Sequence, residues 1–404
     1  MTIAGHQVDD AMFSYIARNL DVDTYKLLLK DEPNLSFDKS FAIQQIECRR
    51  KARYKISELL TYKRFLFGRA ISAEQCTHEL VAQFHASLFD ANDRVLDMTM
   101  GLGVDDYYIS KQVKSLISIE IDPIIAETGQ YNFKFLSPDV EVIQADSVEY
   151  LKQLSNDEQF DAIFIDPARR NESGNRLYNL ADCQPNVLEL LPLISQHTSR
   201  LYIKASPMLD VTQSIRDLNN CLTDVWAVSI KNECKELFFK LDFKQPLSHV
   251  MLHALNHDGS KWQEFSCDNY KLSQPTTPLP DLNRATILLE PNSSIMKLGC
   301  FKVLEEKTGT TQISTNSHLM VSNEIIDDFP GRQFRIMEII PFKDKEIKQL
   351  SKRIKQANVA TRNFRLSAEA LKKRMRMKDG GENYIFATTL ASGKQVIILC
   401  EKLT

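Results

Sequence analysis

The middle of this chain alternates short apolar runs with stretches of helical periodicity, and this alternation constrains the fold more than any other feature. The runs RVLDM, SLISIEI, VEVI, DAIFID and RLYIKA follow one another from Asp93 onward, separated by segments with helical spacing. Such an order predicts a parallel sheet covered by helices on both faces. Two further runs, VWAVSI and ELFFKLDF, are joined by KNECK, which is too short for a parallel crossover. We therefore expect an α/β sheet of seven strands that ends in an antiparallel pair at one edge.

The rest of the chain divides into regions around this sheet. Residues 1–90 place apolar residues at three- and four-residue spacing, which predicts a helical segment before the sheet domain of residues 91–245. Residues 246–335 start with polar and proline-rich sequence, including SQPTTPLPDL, and are expected to form a linker and a small α+β unit. Residues 336–404 carry two basic helices and two strands, so a second small α+β unit is expected there.

The charge of the chain is unevenly distributed. The formal net charge is −3, yet residues 343–378 contain thirteen Lys or Arg and three Asp or Glu. This segment is either a solvated helical face or a surface that contacts the phosphates of a nucleic acid. In the second case Lys372, Lys373 and Arg374 are the expected phosphate contacts.

The cysteines and the N-terminus bound the class of protein. Eight cysteines are scattered without a CxxC pair or a Cys/His cluster, so reduced, mostly buried thiols and no metal site are expected. The first residues lack a basic stretch followed by an apolar run, and no apolar stretch reaches membrane-spanning length. We expect a cytoplasmic protein without a membrane anchor.

A glycine turn follows the first strand of the sheet. Gly101 and Gly103 in RVLDMTMGLGVDD permit positive φ and let a ligand approach the backbone, although glycine turns also join strands to helices for structural reasons alone. Asp106 stands where a dinucleotide-binding turn has glycine or alanine. Because an acidic side chain would repel a pyrophosphate there, a ligand without phosphates fits better.

Acidic residues end four successive strands. They are Asp97, Glu120, Asp146 and Asp166, and the carboxyl ends of strands in an open α/β sheet line one crevice. Glu120, with Asp122 as the alternative, is placed to accept hydrogen bonds from ribose hydroxyls. Asp146 either reaches an exocyclic amine or caps the next helix. The series predicts a nucleoside-sized ligand.

These motifs resemble those of the class I S-adenosylmethionine-dependent methyltransferases, which have a Rossmann-like sheet. VLDMTMGLGVD, ISIEIDP, QADSVEYL and FDAIFIDPARR correspond in order to four motifs of that family. The whole chain more closely resembles a bacterial group in which the methyltransferase domain precedes a ferredoxin-like unit and a C-terminal THUMP-like domain. DMTMGLGVD, IDPARR, IKASPMLD, LLEPNSSIMKLGCF and FPGRQF carry this likeness. The resemblance implies S-adenosyl-L-methionine as cofactor, with Asp97, Thr99, Gly101, Gly103, Glu120, Asp122, Asp146 and Asp166 in contact with it.

The molecule that receives the methyl group, the acceptor, is expected to bind at the end of the fourth strand. Asp166 could hydrogen-bond an acceptor N–H or O–H or take its proton, and Pro167 makes the turn rigid. Methyltransferases of exocyclic base amines have an aromatic residue where this chain has Arg169. Enzymes that methylate pyrimidine carbon five have a nucleophilic cysteine where this chain has Ala205, in KASP. A nitrogen or oxygen acceptor is therefore expected.

The substrate-binding residues are less constrained. Arg169 and Arg170 either bind phosphate bidentately or form surface salt bridges. Ser206, with Asp210, either completes the acceptor pocket or caps the next helix. THUMP domains of related enzymes bind structured RNA, so the resemblance favours an RNA methyltransferase. The alternatives are a small-molecule methyltransferase and a non-catalytic RNA-binding protein on a methyltransferase fold.

Overall fold

The chain forms two compact units. The computed structural model describes residues 1–155, 157–169, 179–218, 221–245, 249–269, 282 and 285–403. Unit 1 comprises Met1–Leu222 and Phe239–Pro246, and unit 2 comprises Thr223–Phe238 and Leu247–Thr404. None of the described helices is long and apolar enough to cross a membrane.

Unit 1 begins with the expected helical segment. It contains β1 (Thr2–Ile3), β2 (His6–Gln7), α1 (Asp10–Arg18), α2 (Thr24–Leu29), α3 (Lys39–Ala52), a 3₁₀ turn at Leu59–Thr61, α4 (Ala70–Gln75) and α5 (Glu79–Ala86). Asp9, Asp23 and Asp38 each accept a hydrogen bond from the first turn of a following helix, which fixes where α1, α2 and α3 begin. Apolar residues of α1 and α3 then pack into one core cluster.

The strands and helices of the sheet domain follow in the expected alternation. They are β3 (Arg94–Asp97), α6 (Val104–Ser110), β4 (Ser115–Glu120), α7 (Pro123–Leu136), β5 (Val140–Gln144), α8 (Ser147–Gln153), β6 (Ala162–Ile165), β7 (Ala168–Arg169), a 3₁₀ turn at Leu180–Asp182, β8 (Cys183–Gln184), α9 (Val187–His197), β9 (Arg200–Ala205), α10 (Val211–Asp217), β10 (Leu222–Ile230) and β11 (Glu233–Asp242).

The central strands of unit 1 are parallel. Their order is β9-β6-β3-β4-β5, and the part of β11 in this unit lies beside β9. The strand order reverses between β3 and β6, which is where open α/β sheets bind their ligands. Strand β6 is buried along its whole length, and its last residue, Ile165, immediately precedes Asp166. The carboxyl ends of β3, β4 and β6 therefore define the crevice.

Strand pairing in unit 2 differs from expectation after β11. Lys231 and Asn232, both at positive φ, form the two-residue turn between β10 and β11, as expected for a hairpin. Beyond it, β12 (Met251–His257) pairs parallel with β10, and β13 (Trp262–Asp268) pairs antiparallel with β12. The polar residues that interrupt the apolar pattern here had predicted a linker, and the proline-rich part of that prediction, SQPTTPLPDL, lies outside the described residues except for Leu282. One of these polar residues, His253, is held between Ser266 and Asp224.

The remaining elements of unit 2 build a second sheet. They are β14 (Ile287–Pro291), α11 (Ser293–Leu298), α12 (Phe301–Thr308), β15 (Thr311–Gln312), β16 (Met320–Ser322), β17 (Gly331–Pro341), α13 (Asp344–Arg353), β18 (Asn358–Arg362), α14 (Ala368–Met375), β19 (Asn383–Thr389) and β20 (Gln395–Lys402). The strand order is β15-β16-β14-β17-β20-β19-β18. One core cluster packs Ile385 and Ile397 with residues of α13 and α14, and another contains Phe334 and Phe386.

Candidate functional site

The loop after β3 is tied to two other strand ends. The backbone N–H of Gly101 donates to Oε2 of Glu120 over 2.9 Å, and the hydroxyl of Thr99 accepts the N–H of Asp166 over 2.7 Å. The structure thus brings together the predicted residues of the first, second and fourth strands. Thr99 provides the link between the loop and the acceptor side.

The two glycines of this loop differ in the space around their Cα atoms. Gly101 has φ +58°, and a Cβ added there would meet no atom closer than 4.0 Å. Gly103 has φ +76°, and an added Cβ would lie 2.7 Å from a ring carbon of Phe133 on α7. Gly101 therefore leaves the backbone open to a ligand, whereas Gly103 lets α6 pack against α7.

Glu120 is the better of the two predicted ribose carboxylates. It is 9% exposed, and its oxygens accept the N–H groups of Gly101 and Asp122 over 2.9 and 2.8 Å, which fix its orientation while leaving further lone pairs. Asp122 instead caps α7 and pairs with Arg69. The next side chain, Ile121, is 64% exposed and offers an apolar surface beside the carboxylate. Ile121 was not predicted from the sequence; the signal available there was an isoleucine directly after the predicted ribose carboxylate.

Asp146 lies after β5, and its Oδ1 accepts the N–H groups of Val148 and Glu149. The capping role is thus present. Its side chain is exposed, and Oδ2 has no hydrogen bond within the described part of the chain. A ligand contact by that second oxygen remains compatible with the cap.

Asp97 and Asp106 form a buried pair of carboxyl groups beneath the loop. Asp97 is 1% exposed and accepts the N–H of Thr99, while Asp106 is fully buried and accepts the hydroxyl of Ser118 over 2.5 Å. Burial and the neighbouring carboxylate raise the pKa of Asp97 well above its ordinary value, and burial raises the pKa of Asp106 to about 7. Oδ2 of Asp106 has no other donor among the described residues, so one proton held by the pair satisfies it.

This pair corrects one argument made from the sequence. Asp106 does not face a ligand at the turn, because its side chain points into the core toward Ser118. It therefore cannot repel a phosphate directly. Asp97 likewise supports the loop from below, through Thr99, rather than presenting an open surface.

Asp166 is anchored by Lys204, a residue that the sequence analysis did not assign. The ammonium of Lys204, at the end of β9, donates to Oδ2 of Asp166 over 2.6 Å and to the hydroxyl of Thr77 over 2.7 Å. Its Nζ also lies 3.5 Å from Oδ2 of Asp105. The Lys204 side chain is 12% exposed and that of Asp166 39%. The sequence signal for this role was the lysine of KASP, which directly precedes Ala205.

Asp105 connects this lysine to the protein interior. It accepts the hydroxyl of Thr77 over 2.5 Å, and its Oδ1 lies 2.8 Å from Nδ1 of the fully buried His85. Although burial opposes ionisation, the charge of Lys204 and the hydrogen bonds from His85 and Thr77 hold the pKa of Asp105 below its ordinary value. Asp105 is therefore the anion that fixes Lys204 from behind.

The other predicted acceptor residues lie around this point. Pro167 is buried directly after Asp166. Ala168 and Arg169 form β7, in which Arg169 is the register partner of Cys183 in β8. The Arg169 side chain and Arg170 lie outside the described residues. Ser206 accepts the N–H of Met208 in the loop after β9.

The predicted RNA contacts belong to unit 2, on α14. Lys372 pairs with Asp379 over 3.1 Å, and Arg374 pairs with Asp344. Lys373 is exposed and has no ion pair within the described chain. Two of the three predicted contacts therefore already have protein partners. The described residues contain no group of three or more His, Cys, Asp or Glu that could hold a metal ion.

Comparisons with known proteins agree with this architecture. A family model described as ferredoxin-like domain matches residues 288–330, and one described as THUMP domain-like matches residues 331–402. An uncharacterized S-adenosylmethionine-dependent methyltransferase of Mycobacterium tuberculosis, found in strains CDC 1551 and H37Rv, is 20% identical over 353 residues. The match covers 85% of this chain and 91% of that protein.

A solved structure matches along nearly the entire length. The crystal structure of a proposed methyltransferase from Porphyromonas gingivalis W83 has a TM-score of 0.88 and 27% identity, covering 98% of both chains. The strand order, the loop after β3 and the carboxylate of Glu120 are the features on which a class I site depends. The chain is thus an S-adenosylmethionine-dependent methyltransferase that carries a ferredoxin-like domain and a C-terminal THUMP-like domain.

Proposed function

We propose that this methyltransferase acts on a nitrogen or oxygen atom of an RNA, in the cytoplasm. The choice of a nitrogen or oxygen as the methylated atom rests on the hydrogen bonding of the Asp166 carboxylate. One oxygen of this carboxylate is fixed by Lys204, and the other, Oδ1, has no hydrogen bond to any described residue. A fixed acceptor oxygen at the edge of the crevice suits an N–H or O–H group of a substrate.

The residues around the loop after β3 fit the cofactor. S-adenosylmethionine supplies an electrophilic methyl group when bound. Glu120 has lone pairs left for the ribose hydroxyls, Ile121 offers an apolar face to the adenine, and the backbone at Gly101 is open to close approach. Asp97 keeps the loop in place through Thr99. These four contributions bind and orient the cofactor.

Asp166 and Pro167 act on the acceptor side. Methyl transfer from a sulfonium requires the acceptor atom in line with the leaving sulfur, and much of the rate comes from positioning. Oδ1 of Asp166 accepts a hydrogen bond from the N–H or O–H of the substrate atom that receives the methyl group. It takes that proton as the bond from this atom to the methyl carbon forms. The buried ring of Pro167 and the bond from Asp166 N–H to Thr99 restrict the backbone at this point.

Two cysteines lie near this site, and neither has the features of a nucleophile. Cys183 is buried, with its backbone paired to Arg169 in β8. Cys76 precedes Thr77, and burial raises the pKa of its thiol despite the nearby charges of Lys55 and Lys204. Since a reactive cysteine needs a stabilised thiolate, methylation of a pyrimidine carbon is disfavoured.

The proposal of RNA as acceptor rests on the charge of the THUMP-like domain. Residues 331–402 contain seventeen Lys or Arg and seven Asp or Glu. Several of these cations, including Lys348, Lys355, Lys373 and Lys378, are exposed and form no ion pair within the described residues. A surface with a net positive charge of this size supports binding to a phosphate backbone.

Transfer of a radiolabelled methyl group to separated RNA, protein and metabolite fractions tests the proposal. We expect label in RNA, at a nitrogen or oxygen after nuclease digestion and chromatography. Asp166→Ala should lower turnover about 10²- to 10⁴-fold while cofactor binding, measured by calorimetry, stays within a few-fold. Asp210→Asn is the matched control, because Asp210 caps α10 and asparagine caps equally well. Label confined to metabolites would favour a small-molecule acceptor, and label in no fraction would refute the proposal.

A further inference from the structure

Unit 2 contains a pocket that the methyl-transfer site does not use. It has a volume of about 250 Å³ and lies at β18, the last strand of the second sheet. Arg332, Asn358, Lys372 and Tyr384 are among the residues that line it. They come from β17, β18, α14 and β19, so the pocket is assembled by the tertiary structure of the THUMP-like domain.

A buried carboxylate holds the guanidinium groups near this pocket. The Glu290 side chain is fully buried, while those of Arg332 and Arg362 are 39% and 35% exposed. Arg332 donates to Oε2 of Glu290 through Nε over 2.9 Å, and Arg362 donates to Oε1 over 2.9 Å. Because two cations share one anion, the group retains a positive charge. The guanidinium planes are thereby fixed, with N–H donors left for a further anion.

One further cation, its carboxylate partner and an amide also line the pocket, namely Lys372, Asp379 and Asn358. Lys372 is held by Asp379 over 3.1 Å and is itself 23% exposed. Asn358 donates through Nδ2 to the carbonyl oxygen of Gly381 over 2.8 Å, which fixes the amide and leaves its oxygen as an acceptor.

Tyr384 supplies an aromatic wall. Its ring packs against Phe334 at a centroid distance of 5.0 Å, and it is partly buried. The hydroxyl makes no hydrogen bond to any described residue. An aromatic ring supported from behind, next to fixed cations, is the combination by which proteins bind unpaired nucleotides: the base stacks and the phosphate pairs with the cations.

We propose that this pocket binds a single unpaired nucleotide of the acceptor RNA, with its phosphate at Arg332 and Lys372 and its base on Tyr384. This inference rests on the proposed RNA acceptor and adds a recognition site to it. A double helix does not suit the pocket, because its bases are stacked within the helix and only its phosphates and groove edges are accessible. The site therefore selects single-stranded segments, ends or loops.

Fluorescence anisotropy with the full-length protein tests this inference, using a short labelled single-stranded RNA and the duplex of the same sequence. Tyr384→Leu should weaken single-strand binding about tenfold, while Tyr384→Phe retains it, since stacking needs the ring and not the hydroxyl. Lys372→Met should weaken binding more than Lys373→Met. Both substitutions remove one charge from α14, but Lys373 does not line the pocket. Duplex binding should respond little to Tyr384→Leu.

Each outcome bears on either the pocket or the acceptor. If Tyr384→Leu binds single-stranded RNA as tightly as the unaltered protein, or the two lysine variants lose the same affinity, the pocket is not a nucleotide site. That result would leave RNA methylation intact. Conversely, Tyr384-dependent binding together with methyl label in metabolites alone would keep the pocket and refute the proposed acceptor.

Discussion

Replacing Lys204 by methionine should affect stability and catalysis separately. Methionine keeps most of the apolar stem but leaves the buried Asp105 without its cation, 3.5 Å away. At an effective dielectric constant of about 20, Coulomb's law gives at most about 5 kcal/mol for a pair at this distance. His85 and Thr77 still contact Asp105, so we expect the free energy of unfolding to fall by about 3 kcal/mol.

The double variant Lys204→Met, Asp105→Asn distinguishes the two effects. Asparagine removes the buried charge, so most of the lost stability should return, whereas Asp166 still lacks the donor that fixes Oδ2. Methyl transfer should therefore stay at least about tenfold below that of the unaltered protein in both variants. Lys204→Arg, which keeps the charge, is the control.

Urea unfolding followed by far-UV circular dichroism measures the stability. Tryptophan fluorescence is unsuitable for this purpose, because Trp226 and Trp262 both belong to unit 2. Full activity in the double variant would show that Asp166 does not need Lys204. Unchanged stability of Lys204→Met would refute the assigned role of Asp105.

Three further predictions follow from the site. Glu120→Gln should weaken binding of S-adenosylhomocysteine by about 2 kcal/mol in calorimetry, since an amide presents one acceptor oxygen in place of two; a smaller loss than for Asp146→Asn would reverse their assigned importance. Because the folded-state pKa of Asp106 is raised to about 7 from an unfolded value near 3.8, the native state binds more protons, so stability falls as pH rises from about 4 through 7. Asp106→Asn should reduce this fall, leaving the part that comes from Asp97, and raise the melting temperature above pH 7, with little change below pH 4 in thermal scans; identical pH profiles would contradict the raised pKa. Cys183→Ser and Cys76→Ser should each retain methyl transfer to RNA, and loss of all transfer in either, with a normal melting temperature, would indicate a carbon acceptor.

The sequence was informative where chemistry follows chain order. Glu120 and Asp166 could be placed at one crevice because parallel strands bring their carboxyl ends to the same edge of a sheet. The contact of Lys204 with Asp105 could not be predicted, because it joins two residues 99 positions apart, one in β9 and the other in the first turn of α6. The orientation of the Asp106 side chain could not be predicted from the sequence either, since the first turn of a helix can present an acidic side chain to a ligand or to the core.

Strands β12 and β13 were missed for a related reason. The alternation of apolar and polar residues in MLHALNH is short. Its polar residues predict an exposed segment as long as their hydrogen-bond partners on other strands are unknown. His253 is an example: its two ring nitrogens contact Ser266 and Asp224 on adjacent strands. Polar groups that are satisfied only across a sheet reduce the apparent hydrophobicity of a strand without preventing its burial.

Asp105 and Asp106 are neighbours of the same residue type, yet the protein shifts their pKa values in opposite directions. Asp105 stays an anion because Lys204 and His85 surround it, whereas Asp106 shares a proton with Asp97. Near neutral pH the folded protein is therefore about one unit less negative than its formal charge of −3. Folding at the start of α6 is accompanied by proton uptake, and the heat of unfolding should depend on the ionisation enthalpy of the buffer.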